Sequence, residues 1–171
     1  MIQGDMRHVF ALFFMLACAG SVWAQESPRT PGARPALTVR SGDAVVTLGA
    51  EKLAGLPRRA IEARDEREVV KYDGVRLLDV LAQAGVTFGQ TLRGPRLASY
   101  VVAGSPDGFR VVIALAEIDP DFASRDAIVA DRRNGAPLSP RDGPLQLVIP
   151  GDSHHARWVR NLTTLTIQAA N

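Results

Sequence analysis

"GPLQLVIPGDSHHARWVRNLTTLTI" (residues 143–167) decides how the rest of the chain is read. Leu145 to Ile149 is a short apolar run set between Gly143-Pro144 and Pro150-Gly151, the form of a buried strand. "LTTLTIQ" (162–168) reads as the closing strand. The loop between them holds Asp152, His154, His155, Arg157, Trp158 and Arg160, and apart from His8 it carries every histidine in the chain. A hydrolytic triad fits poorly, because adjacent residues project differently and no Gly-x-Ser-x-Gly elbow exists. A zinc shell also fits poorly, since side-by-side histidines rarely both point inward and no second His or Cys cluster completes the ligand set. A flat polar ligand suits the residue types better. If "ARWVRNL" makes a turn of helix, Arg157 and Arg160 share a side and its first N–H groups are free. His155 can then stack or donate, and Trp158 offers an aromatic face. The plain alternative buries Trp158 under the sheet and leaves the arginines in solvent. Residue types alone leave both open.

Working outward, "ALTVRSGDAVVTLG" alternates on both sides of Ser-Gly-Asp, a hairpin signature. "AEKLAGLP" is a short helical turn closed by Gly55 and Pro57. Two candidate strands follow at about 58–63 and 68–72, the second ending in a turn at Tyr72-Asp73-Gly74. "VRLLDVLAQAG" is the clearest helix, with Leu77, Leu78, Leu81 and Ala84 on one face and Gly85 as its C-cap. "RLASYVVAGSPDGFRVVIAL" is a second hairpin around Ser-Pro-Asp-Gly. "AEIDPDF" is a short helix or turn, and "DAIVADRRNGAPLSPRDGPLQLVIP" adds two strands bridged by turn-formers. Strands dominate and no βα rhythm appears, so the fold class is α+β: a mixed, β-rich single domain over residues 37–171.

The N-terminal 24 residues read as a secretory signal peptide. Arg7 and His8 lead into the apolar run Val9 to Gly20, and Val22 and Ala24 occupy the small-residue positions of a cleavage site. Cys18 could instead be lipidated, but Leu16 is bulky where that pattern prefers a small residue. Cleavage after Ala24 removes Cys18, the only cysteine, so the mature chain has neither a disulfide nor a thiolate. Residues 25–36 form a proline-rich flexible lead-in. The expected localisation is periplasmic, and no later stretch is apolar enough to span a membrane. The net charge is +2, and its basic side is nearly all arginine, with Lys52 and Lys71 the only lysines. These arginines are scattered, and an exported protein meets little nucleic acid, so nucleic-acid binding is set aside.

Four segments, "YDGVRLLDVLAQAGV", "DGFRVVIALAEID", "AIVADRRNGAPL" and the opening stretch, resemble in order the molybdopterin-binding domain of the sulfite oxidase and methionine-sulfoxide-reductase catalytic-subunit family. The resemblance implies the sulfite-oxidase fold, with a pterin pocket built from loops. It also implies a molybdenum-ligating cysteine about a dozen residues before the aromatic-x-Gly turn, where this chain has "AIEARDEREVVKYDG" and no cysteine. A family arginine falls on Gln146 and a family asparagine near Arg141, while the basic residues of the last loop persist as Arg157 and Arg160. The metal half of the site is therefore missing and part of the pterin half is kept.

In length, leader and lack of cysteine the chain also resembles short exported proteins with this domain that bind pterins, some of which pass pterin occupancy to a membrane enzyme of cyclic-di-GMP signalling. The expectation is a non-catalytic, periplasmic pterin binder with no molybdenum. Trp158 or Tyr100 would stack on the ring, and His154, His155, Arg141, Arg157 and Arg160 would surround it. Asp107 or Asp152 would accept from its amino edge. The competing readings are a molybdopterin oxidoreductase subunit with atypical metal ligation, and a scaffold without ligand.

Overall fold

The computed structural model describes residues 36–65, 68–123, 125–152 and 154–170. The stretch expected to be a signal peptide, Cys18 and the expected lead-in up to residue 35 lie outside the described residues, as does Ser153. Every described strand and helix lies in the compact unit Ala33–Asn171.

Turn chemistry and alternation build the first sheet. β1 (Ala36–Ser41) and β2 (Ala44–Gly49) form the hairpin expected around Ser-Gly-Asp, with Gly42 at φ +56° in the turn. Leu37, Val39 and Leu48 are buried while the residues between them are partly or fully exposed. β5 (Ser99–Gly104) and β6 (Arg110–Ala114) form the second hairpin. The closing strand β10 (Thr164–Ala169) lies between β1 and β5 and runs parallel to β1, giving the order β2-β1-β10-β5-β6.

The second sheet is assembled from β3 (Arg58–Asp65), β4 (Glu68–Arg76), β7 (Ile128–Arg133) and the two-residue β8 (Ala136–Pro137). β9 (Gln146–Val148) also pairs with β7. The turn expected at Tyr72-Asp73-Gly74 does not form. β4 continues through it to Arg76, held by β3 on one side and by β7 on the other, with a register shift at Asp73/Gly74. Glycine is required there for close approach, since a Cβ on Gly74 would lie 2.2 Å from the Val129 carbonyl oxygen.

The described residues also form three short α-helices, α1 (Ala50–Ala54), α2 (Leu77–Ala82) and α3 (Leu115–Ile118), besides short 3-10 turns. α2 buries Leu77, Val80 and Leu81, leaves Leu78 partly exposed, and is followed by Gly85 at φ +77°. The face thus turns from the expected one, because the Leu77 N–H donates to the Ala127 carbonyl (2.8 Å) and fixes the first turn against the start of β7. One core cluster draws on both sheets, from Leu37, Val101 and Leu165 to Val70, Ile128 and Leu147. Among the described residues no helix is long and apolar enough to cross a membrane.

Candidate functional site

The segment after β9 turns back on it. Leu147 and Val159 exchange backbone hydrogen bonds of 2.9 and 3.2 Å, and among the described residues between them a 3-10 turn at His155–Arg157 is the one helical piece. Trp158 follows that turn with extended backbone, so the helix-like face expected for Arg157 and Arg160 does not exist. The two guanidiniums part.

Trp158 belongs to the core. It is 7% exposed, its indole N–H donates to the Ile149 carbonyl (3.0 Å), and it meets Tyr72 edge-on at 5.5 Å. The His155 imidazole stacks on it at 4.0 Å with an interplanar angle of 23°, covering the indole face that sequence reasoning offered to a ligand. His155 is itself held at both nitrogens. Nδ1 lies 3.3 Å from Asp65 Oδ1, and Nε2 meets the Arg64 carbonyl oxygen. Asp65 also accepts from the Tyr72 hydroxyl (3.0 Å) and pairs with Arg133 (2.9 Å). Burial, then the hydrogen bond to Asp65, holds the Tyr72 phenol far above its usual range, so it serves as a donor.

These groups border a cleft of about 900 Å³. Of the residues singled out from sequence, His155, Trp158, Arg160, Asp107 and Arg141 line it. Arg160 Nε pairs with Asp142 (3.0 Å), itself on the wall. Asp107 Oδ1 accepts from the Ser105 hydroxyl and the Phe109 N–H (3.0 Å), which is turn chemistry at the cleft rim. Sequence reasoning did not assign Asp65, Tyr72, Phe109, Arg133, Asp142 or Gln146 to the wall. Only Gln146 carried a local signal, as the one polar residue within Leu145–Ile149.

Four other candidates lie elsewhere. Arg157 binds Asp152 through Nε and Nη2 (3.0 and 2.8 Å) and Glu117 through Nη1 (3.1 Å), and it does not line the cleft. Asp152 takes a further bond from Arg125 (2.6 Å). The Arg157 hydrogen bond is the main reason that the Asp152 carboxyl sits below its ordinary range, and the same bond raises the guanidinium. His154 and Asp152 line a second, smaller cavity of about 510 Å³, whose wall His155 and Trp158 share. The Tyr100 hydroxyl donates to Gln168 Oε1 (2.9 Å) across β5 and β10, away from both cavities.

The cleft therefore combines guanidiniums, carboxylates, a carboxamide and the half-exposed ring of Phe109. Such a set can meet the mixed donors and acceptors of a pterin ring. It does not fit a thiolate-ligated molybdenum, because no described residue is a cysteine. Among the described residues, no group of three His, Cys, Asp or Glu side chains is placed to hold a metal ion.

Residues 58–171 match the family described as the oxidoreductase molybdopterin binding domain. No curated protein matches the chain. Among solved structures, it is similar to the sulfane dehydrogenase SoxCD from Paracoccus pantotrophus, with a TM-score of 0.61 and 20% identity. That likeness covers 79% of this chain and 39% of the dehydrogenase chain, so it shows the fold and spans well under half of the larger protein. The family match takes in everything from β3 onward, including every wall of the cleft. With its two sheets and a cleft walled by strand ends and loops, the chain belongs to the oxidoreductase molybdopterin binding domain family, of the sulfite-oxidase type.

Proposed function

We propose that this protein is exported to the periplasm and binds a pterin in the cleft without redox chemistry. Occupancy is then passed to the periplasmic region of a membrane enzyme of cyclic-di-GMP signalling. The observation that carries this reading is a polar cleft, roomy enough for a pterin, in a molybdopterin-binding fold whose described residues include no thiolate. His155, fixed by Asp65 and by its stack on Trp158, supplies a rigid edge to the cleft. Arg160, Arg141 and Asp107 offer donors and an acceptor to the ring substituents. Phe109, 45% exposed at the rim, is the aromatic surface available to cover the ring, since Trp158 is buried.

The test is a calorimetric titration with pterin, beside metal analysis of protein purified from its own host. Binding of pterin with molybdenum far below one per chain is the expected result. Roughly one molybdenum per chain, with sulfite or sulfoxide turnover, would replace this reading with that of an oxidoreductase of atypical metal ligation. The signalling step is tested by cyclic-di-GMP levels in host cells with and without the gene. Equal levels at saturating pterin would remove the sensor role.

A further inference from the structure

Gln146 opens β9 inside an otherwise apolar run. It is only 5% exposed, yet it lines the cleft. Among the described residues no hydrogen bond reaches its carboxamide, while no fully buried polar side-chain atom lacks a partner. The carboxamide therefore opens onto the cleft, largely stripped of water and unpaired. Two carboxylates of the same wall are already committed. Asp65 is held by Tyr72, Arg133 and His155, and Asp142 by Arg160 and Ser139. A desolvated amide without a partner is costly to keep in a folded protein, and a ligand that completes it recovers that cost on binding.

We propose that Gln146 is the specificity-determining residue of the cleft, pairing side by side with a lactam edge of the ligand, an adjacent ring carbonyl and ring N–H. This inference rests on the pterin reading above and adds which edge of the ring is read. The reason lies in donor and acceptor counts. A carboxamide presents one acceptor and two donor hydrogens, so it matches an edge that is half acceptor and half donor. A carboxylate presents acceptors only and suits the amino and N–H edge, whereas the arginine that the resemblance puts here presents donors only. The 4-oxo and N3–H groups of a pterin form such an edge, and blocking N3 separates it from the mixed edge of the 2-amino group and N1.

The experiment titrates wild type, Gln146→Leu and Gln146→Glu with pterin and with 3-methylpterin, whose N3–H is blocked, and records thermal melts of all three proteins. Wild type is expected to bind pterin about tenfold or more tighter than 3-methylpterin, the worth of one well-placed hydrogen bond in a desolvated site. Gln146→Leu is expected to lose about tenfold in pterin affinity and most of the discrimination, with an unchanged or higher melting temperature. A glutamine that served the fold alone would give the opposite pattern. Gln146→Glu is expected to weaken pterin binding by at least as much, because a carboxylate repels the 4-oxo group. Equal binding of the two pterins by wild type, or wild-type pterin affinity in either variant, would overturn the inference and leave the pterin reading standing. Wild type that binds neither pterin would overturn both.

Discussion

On one side of the segment joining β9 to β10, Asp152, Arg157, Glu117 and Arg125 close on one another in a chain of ion pairs. On the other side, His155 and Arg160, together with Gln146 of β9, border the cleft. The two regions draw on the same short stretch and similar residue types, and they spend them differently. Arg157 satisfies two carboxylates and ties the segment to Glu117 of α3. Arg160, half-exposed, keeps one partner, Asp142, on the cleft wall. Arg157 is thus committed to its carboxylates, whereas Arg160 stays on the cleft wall with a single ion pair.

The largest expected effect tests the element common to both sides. Trp158→Ala should cost about 3–5 kcal/mol, as for other buried aromatics, because it also removes the His155 stack and the bond to Ile149. Denaturant unfolding measures this. A loss below about 1 kcal/mol would mean that the indole is not core, and the division into two sides would fail.

Asp152→Ala comes next, at about 1.5–3 kcal/mol for charge-assisted bonds to a carboxylate whose side chain is 9% exposed. Its pH dependence follows from the lowered folded-state value. The unfolded chain takes up the proton first as pH falls. The Asp152 contribution is thus complete above the unfolded value of about 3.9 and is lost as pH drops through the folded one. Wild type and variant should converge in stability at the acid end. A gap that stays constant from pH 7 to the acid limit would show that the ion pairs contribute nothing.

The smallest change in stability carries the sharpest contrast. Arg157→Ala should cost about 1.5 kcal/mol and leave pterin affinity unaltered, since its head group faces Asp152 and Glu117. Arg160→Ala should cost at most about 1 kcal/mol, as for exposed ion pairs, and should weaken pterin binding about tenfold. Paired melts and titrations decide the matter. Equal affinity losses in the two variants would erase the difference between the regions.

Local chemistry made much of the fold legible. Ser-Gly-Asp and Ser-Pro-Asp-Gly marked their hairpins, because a turn's backbone demands those residues wherever it sits. Tyr72-Asp73-Gly74 misled for the same reason. Its glycine serves a close approach to β7, a need created by a strand more than fifty residues away in sequence. The cleft was legible only on its nearer side. His155, Arg160, Asp107 and Arg141 stood out by type and motif, whereas Asp65 and Arg133 reach the wall from the ends of β3 and β7, where a single charged residue is unremarked.

The chain of residues by itself determined the β-rich class, the resemblance to the molybdopterin-binding domain and the absence of any cysteine beyond Cys18, for these follow from periodicity, motif and composition. The tertiary structure alone decided that Trp158 is core, that Arg157 is a strut and that Gln146 faces the cleft unpaired. Each outcome depends on which carboxylates and carbonyls the fold brings within hydrogen-bond reach. Those partners lie up to about forty residues away in sequence and leave no trace in the local pattern.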